Sequence, residues 1–167
     1  MKQLNCNLNK KSKLIYSNSL MLIIIMLVNF SLIGKSMAAT KQHQLKVTVT
    51  KINPALNGNI VLMLFTEQGF PKKHQLAKHS ISLPANQTEL TFTLATDLTE
   101  FVLKVLHDEN EDGKVSKNWT GIIPAEGLGF SNKQTLSFTG PPSYKKSKVS
   151  INPTQSISEF QIEIKYP

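Results

Sequence analysis

The sequence predicts an all-β protein: a single immunoglobulin- or transthyretin-like β-sandwich of seven to eight strands with Greek-key connections. Three observations carry that prediction. Beyond position 44 the apolar residues recur with period two, not 3.6. Short runs of them are separated by breaks rich in Asn, Gly and Pro. No segment carries the wide apolar stripe of an amphipathic helix.

Taken in order, "QLKVTVTK" places Leu45, Val47 and Val49 opposite Lys46, Thr48 and Thr50, the alternation of a strand buried on one face. Asn57-Gly58 is a strong turn dipeptide, and "NIVLMLF" from Asn59 to Phe65 is apolar on both faces. These two segments are expected to pair as a hairpin around a longer loop. "QGFPKKHQLAK" reads as loop with a short helical turn near Leu76. "SISL" and "ELTFTL" are strands flanking a "PANQ" turn. "FVLKVLH" is apolar on both sides except for Lys104 and leads straight into an acidic loop. "QTLSF", "KVSIN" and "SEFQIEIKY" are strand-like, the last with Phe160, Ile162, Ile164 and Tyr166 on one side.

Ahead of this domain, lysines at 2, 10, 11 and 13 precede an apolar run, "LMLIIIMLVNFSLIG", and then Ser36-Met37-Ala38. This is the layout of a secretory signal peptide, 1–38, with cleavage before Ala39 and residues 39–167 as the mature domain. The apolar run is shorter than the ~20 residues of a spanning helix. No stable membrane span is therefore expected after cleavage; retention as an N-terminal anchor is the alternative. The expected location is periplasmic or secreted. Cys6, the one cysteine, would leave with the signal, so the mature chain would hold neither disulfide nor thiol.

The charge balance changes with that cleavage. Five of the 19 basic residues lie in 1–38 and all 11 acids lie beyond it, which reduces a formal +8 to +3. Every basic residue is lysine. A mildly basic chain without arginine lacks the bidentate donors of nucleic-acid recognition, so no nucleic-acid partner is expected.

The chemistry concentrates in "HDENEDGKVSKNWTGIIPAEGLGFSN", residues 107 to 132. Asp108, Asn110 and Asp112 alternate and Gly113 follows, the D-x-[DN]-x-[DN]-G spacing of calcium loops. In such loops the glycine permits a sharp turn, and the next carbonyl, here that of Lys114, supplies a fourth oxygen. Ser116 falls where a ligand or water-bridging side chain would lie. An all-oxygen set suits a hard cation, so Ca2+ is the expected cofactor if there is one. The twelfth position holds Trp119 where an EF-hand needs a bidentate glutamate, and no helices flank the loop. Glu126 in "PAEGLGF" is the best candidate to close the shell, while Glu109 and Glu111 alternate away toward solvent. The competing reading is a plain turn, in which Asp108 and Asn110 bond to nearby backbone and Asp112-Gly113 turns the chain. The spacing leaves both open.

Around the loop, His107 shares a strand face with Phe101, Leu103 and Val105 and is read as a loop anchor or core cap. Trp119 and Phe130 are expected to pack as core or lid, with an apolar ligand platform as the alternative. A hydrolase would need His107 to work with Asp108, Asp112 or Glu126. Neighbouring residues on a strand point to opposite faces, and neither a G-x-S-x-G element nor a serine–histidine–acid set is recognisable, so no catalytic residue is assigned.

Several of these residues fall in a longer pattern. His107-Asp108, Asn110, Asp112-Gly113-Lys114, Asn118, Gly121, Pro124, Glu126-Gly127, Gly129-Phe130-Ser131-Asn132 and Gly140-Pro141-Pro142-Ser143-Tyr144 occur in the order of the bacterial secreted domain of unknown function 2141, which the chain resembles over most of 45–166. It departs from that pattern at Ser116, where Asp is usual, at Leu128, which replaces an aromatic, and by one added residue between Gly121 and Pro124. The resemblance implies an exported sandwich and no defined activity. Together these readings point to a non-enzymatic binding or accessory domain. Its loop, with His107, Trp119, Phe130, Asn132 and Tyr144 as surface candidates, would face a protein, peptide or glycan of the cell envelope. A purely structural envelope role without metal is the rival.

Overall fold

The computed structural model describes residues 42–137, 140–152 and 154–167. The expected signal peptide 1–38, the expected cleavage before Ala39 and Cys6 lie outside the described residues. Thr40–Pro167 forms a compact unit of its own. Its strands are β1 (His43–Thr50), β2 (Asn59–Phe65), β3 (His79–Pro84), β4 (Glu89–Thr96), β5 (Glu100–Asp108), β6 (Leu128–Phe130), β7 (Val149–Ser150) and β8 (Ile157–Glu163). Among the described residues, a 3₁₀ turn at His74–Leu76 and one short helix, α1 (Tyr144–Ser147), are the helical elements.

Two sheets result. In the first, β1 lies between β4, antiparallel, and β8, parallel. In the second, the order is β3-β2-β5-β6, and β7 joins the start of β5 through Glu100 and Phe101. The main core lies between the sheets: Leu45, Val47 and Val49 of β1, Phe92 and Leu94 of β4 and Ile162 of β8 meet Ile60, Leu62 and Leu64 of β2 and Phe101, Leu103 and Val105 of β5. Phe160, Ile162, Ile164 and Tyr166 all contribute to this core, as their alternation predicts. The all-β sandwich is thus present.

The expected β1–β2 hairpin is absent, because β1 pairs with β4 and β8 while β2 pairs with β3 and β5. The hydrophobic pattern gives the physical reason. β1 has one polar face, with Gln44 and Lys46 exposed, and suits a sheet with a solvated side. β2 is apolar on both faces and needs cover on both. Its second face, Met63 and Phe65, joins Leu106, Leu128 and Phe130 in a smaller outer core roofed by Phe70, Ala77, Val115 and Leu136. "QTLSF" also differs from expectation. Asn132 and Lys133 take positive φ angles of 56° and 53° that turn the chain out of the sheet after β6. Gln134–Leu136 then carries no strand, Ser137 forms an isolated bridge with Gly140, and Phe138 lies outside the described residues. β6 and α1 were not legible in the sequence.

β5 is the strand that positions the site. From Phe101 to Asp108 every residue is buried, and alternate side chains feed the two cores. Its end delivers His107 to the inner face and Asp108 to the outer one.

Candidate functional site

The acidic loop leaves β5 at Asp108, whose side chain is 4% exposed. Asp108 Oδ1 accepts the Asp112 N–H at 3.1 Å and Oδ2 accepts the Gly113 N–H at 2.9 Å. Asn110 Oδ1 accepts the same Asp112 N–H at 3.2 Å, and Asp112 Oδ1 accepts the Lys114 N–H at 2.8 Å. Four oxygens from three side chains spaced two residues apart are therefore all drawn over one short segment, 112–114. Gly113, at φ 72°, makes the turn that a side chain would resist. Ser116 is tied in by its hydroxyl, which accepts from Asn110 Nδ2 at 3.2 Å.

Glu126 reaches back across this loop, also 4% exposed. Its Oε1 accepts the Glu109 N–H at 3.1 Å and its Oε2 accepts the Ser116 N–H at 2.7 Å, so one carboxylate staples both ends of 109–116. Glu111 is exposed and Glu109 half-buried. The fold thus brings Asp108, Asn110, Asp112, Ser116 and Glu126 into one hydrogen-bonded unit. Among the described residues no three His, Cys, Asp or Glu side chains converge as a metal cluster, so a cation here would also need Asn110 and backbone carbonyls such as that of Lys114. Each carboxylate oxygen that accepts one N–H keeps further acceptor capacity, which is the chemistry a hard cation uses.

Beneath the loop lies a pair that the sequence hinted at only through one break in an apolar run. Lys104 points to the outer face of β5, is 2% exposed, and donates from Nζ to the Pro71 carbonyl at 2.8 Å. Nζ also lies 2.6 Å from His74 Nε2, while His74 Nδ1 lies 2.9 Å from the Gly113 carbonyl. A carbonyl only accepts, so Nδ1 carries the proton and Nε2 accepts from Lys104. Burial lowers the Lys104 pKa from 10.5 to about 8. The His74 pKa is also lowered, first by burial and then by the Lys104 charge, with the Gly113 bond and Asp108 opposing. His74 thereby links a buried ammonium to the turn of the acidic loop.

On the inner face His107 is fully buried. Its Nδ1 lies 2.7 Å from the Tyr166 hydroxyl and its Nε2 lies 3.1 Å from the Asn57 carbonyl. Nε2 is therefore the donor and Nδ1 accepts from Tyr166, whose oxygen in turn accepts the Asn53 N–H at 2.9 Å. Burial raises the Tyr166 pKa, which keeps the phenol protonated for this role. With both nitrogens engaged inside the core, and Asp108 on the opposite face, the His107–carboxylate pairing of a hydrolase is not assembled. Gly58 supports the same corner: at φ 97°, a Cβ on it would stand 2.1 Å from the Asp108 carbonyl oxygen.

The remaining candidates separate. Phe130 is buried in the outer core, edge-on to Phe70, which also meets Tyr144 edge-on. Asn132 donates from Nδ2 to the Lys146 carbonyl at 2.7 Å. Trp119 does not pack as core or lid: it is 96% exposed, because it sits at the tip of a turn that projects beyond the loop.

The model of the family DUF2141, described as an uncharacterized protein conserved in bacteria, matches residues 47–158, from within β1 into β8. The chain belongs to DUF2141. No curated protein and no solved structure matches it. In this DUF2141 domain the residues of the family-like pattern gather into two groups. One is the loop itself with Glu126. The other knits β6 to α1: Ser131 Oγ accepts the Leu103 N–H at 3.0 Å and donates to the Ser147 carbonyl at 2.6 Å, beside the Asn132–Lys146 bond. His74 and Tyr166 join the site from distant parts of the DUF2141 chain, and nothing in their local sequence marks them.

Proposed function

We propose that this DUF2141 protein is an exported, non-enzymatic binding protein whose 108–116 loop takes a calcium ion and presents the surrounding surface to a peptide, glycan or protein of the cell envelope. The observation that carries the reading is the folding of Asp108, Asn110 and Asp112 over segment 112–114 with Glu126 closing the base. Asp108, Asp112 and Glu126 each bond to the 109–116 backbone without converging as one carboxylate cluster, and no ion pair neutralises any of them among the described residues. An oxygen-rich anionic turn of this kind favours a hard divalent cation.

One observation favours a second reading, a structural accessory domain without metal. Both oxygens of Asp108 and of Glu126 already accept backbone N–H groups, so the loop is self-supporting. A thermal melt of residues 39–167 separates the two. Metal-stripped protein should gain stability on adding calcium, by about 2.7 kcal/mol at a hundredfold excess over Kd. Asp112→Ala should remove that gain. An unchanged melt in calcium would leave the structural reading standing alone.

A further inference from the structure

Residues 116–125 fold back on themselves as a narrow finger beyond the acidic loop. The Ala125 N–H donates to the Ser116 carbonyl at 2.9 Å, Lys117 and Pro124 form a bridge, and the Asn118 N–H donates to the Ile123 carbonyl at 2.8 Å. A turn closes the end, where the Gly121 N–H donates to the Asn118 carbonyl at 2.9 Å. The finger is thus an ordered element, yet it carries three of the four exposed large apolar side chains among the described residues: Trp119 at 96%, Ile122 at 80% and Ile123 at 52%. Scattered apolar residues on a surface need no explanation; three within five positions on a projecting turn do.

We propose that this finger is a membrane-docking tip that wedges Trp119, Ile122 and Ile123 into the headgroup layer of a lipid bilayer. Two features select lipid over protein. Stable protein interfaces need ~800 Å² from each partner, and one aromatic side chain supplies about 150–250 Å², so three projecting side chains fall short by themselves. A small convex apolar tip instead suits the membrane interface, where tryptophan is enriched. From 113 to 125 the chain carries Lys114 and Lys117 and no acid, while Glu109, Glu111 and Asp112 lie in the loop before the finger and Glu126 at its foot, so lysines and not carboxylates accompany the apolar tip toward the headgroups. The inference does not depend on the 108–116 loop binding a cation.

Trp119 is the one tryptophan of the chain and is therefore its own reporter. Residues 39–167, a range that includes the compact unit, would be titrated with phosphatidylethanolamine–phosphatidylglycerol vesicles in chelator. The emission of Trp119 should shift to the blue, become protected from iodide and be quenched by lipids brominated near the headgroup. Ile122→Ser with Ile123→Ser, which keeps the reporter, should weaken vesicle affinity at least tenfold with an unchanged far-ultraviolet spectrum. Lys114→Glu with Lys117→Glu should weaken it further on anionic than on phosphatidylcholine vesicles. Emission unmoved by millimolar lipid would overturn the proposal. So would equal binding by the double serine variant, or a blue shift that follows protein concentration without lipid, which would make the tip a self-association surface.

Discussion

Replacing Lys104 with methionine should remove roughly 3 kcal/mol of pH dependence from the stability of the domain. Lys104 is buried on the outer face of β5, and its two contacts, the Pro71 carbonyl and His74, carry no negative charge to offset desolvation. Its folded pKa accordingly falls from 10.5 to about 8. For a base depressed in this way the sign is fixed. Above pH 10.5 the amine is neutral in both states and burial costs nothing. Between 10.5 and 8 the unfolded chain takes up a proton that the folded chain rejects, so stability declines as pH falls. Below 8 both states are charged and the loss is constant. At about 1.4 kcal/mol per pKa unit, the gap is worth roughly 3 kcal/mol. Methionine has a similar length and cannot titrate. It forfeits two hydrogen bonds of about 1 kcal/mol each, but that cost does not vary over this pH range. Urea unfolding of both proteins at pH 7 and pH 11 gives the test: wild type should gain roughly 3 kcal/mol on methionine as pH rises. A difference that stays flat within about 1 kcal/mol would refute the desolvation argument and place the Lys104 amine in contact with water.

Three further outcomes follow from the same geometry. Asp108→Asn turns one acceptor oxygen into a donor facing the N–H of Asp112 or Gly113, and urea unfolding should show a loss of about 2 kcal/mol. Gly58→Ala meets both a φ of 97° and the Asp108 carbonyl at 2.1 Å, so it should cost at least 2 kcal/mol and increase amide exchange at Asp112 and Gly113, measured by hydrogen–deuterium exchange. His74, whose pKa is lowered, rejects a proton that the unfolded chain accepts, so stability should fall as pH drops below 6.5 toward the lower folded value. His74→Gln should flatten that part of the curve in thermal melts between pH 7 and pH 5, and an unchanged slope would remove His74 from the network.

The strands were legible because their signal is local. Alternation in 45–50 and 160–166, and double-sided apolarity in 59–65 and 101–107, each depend on a few consecutive residues. Pairing was not legible, since the choice of β4 and β8 as partners for β1 depends on which sheet can cover both faces of β2. The loop divides in the same way. Asp108, Asn110, Asp112 and Gly113 lie within six residues, and their spacing announces the turn. Glu126 was found because the glycines that follow it, Gly127 and Gly129, allow close approach. Lys104 showed only as one cation in an apolar strand, and its partner His74 comes from a loop 30 residues earlier. Tyr166 read as a core residue and is one, but its hydroxyl fixes the tautomer of His107 across 59 positions. Trp119 was misplaced because a large aromatic side chain usually packs, and nothing local says that 116–125 rises from the surface.

The two faces of β5 give the loop an unequal mechanical standing. His107 is locked inside by Tyr166 and Asn57, and Asp108 is locked outside by two amides of its own loop, so the base of the site is fixed by adjacent residues held in opposite layers. Beyond that base Asn110, Glu111 and Asp112 are exposed. Damage to His107 or Asp108 must therefore appear in folding before it appears in binding, and neither residue can report on function by itself. Asn110 and Asp112 can, since they bear on the turn and any ligand while contributing little to either core. A binding role requires variants there that lower ligand affinity at nearly constant stability; if every loop variant loses both together, the loop is part of the scaffold.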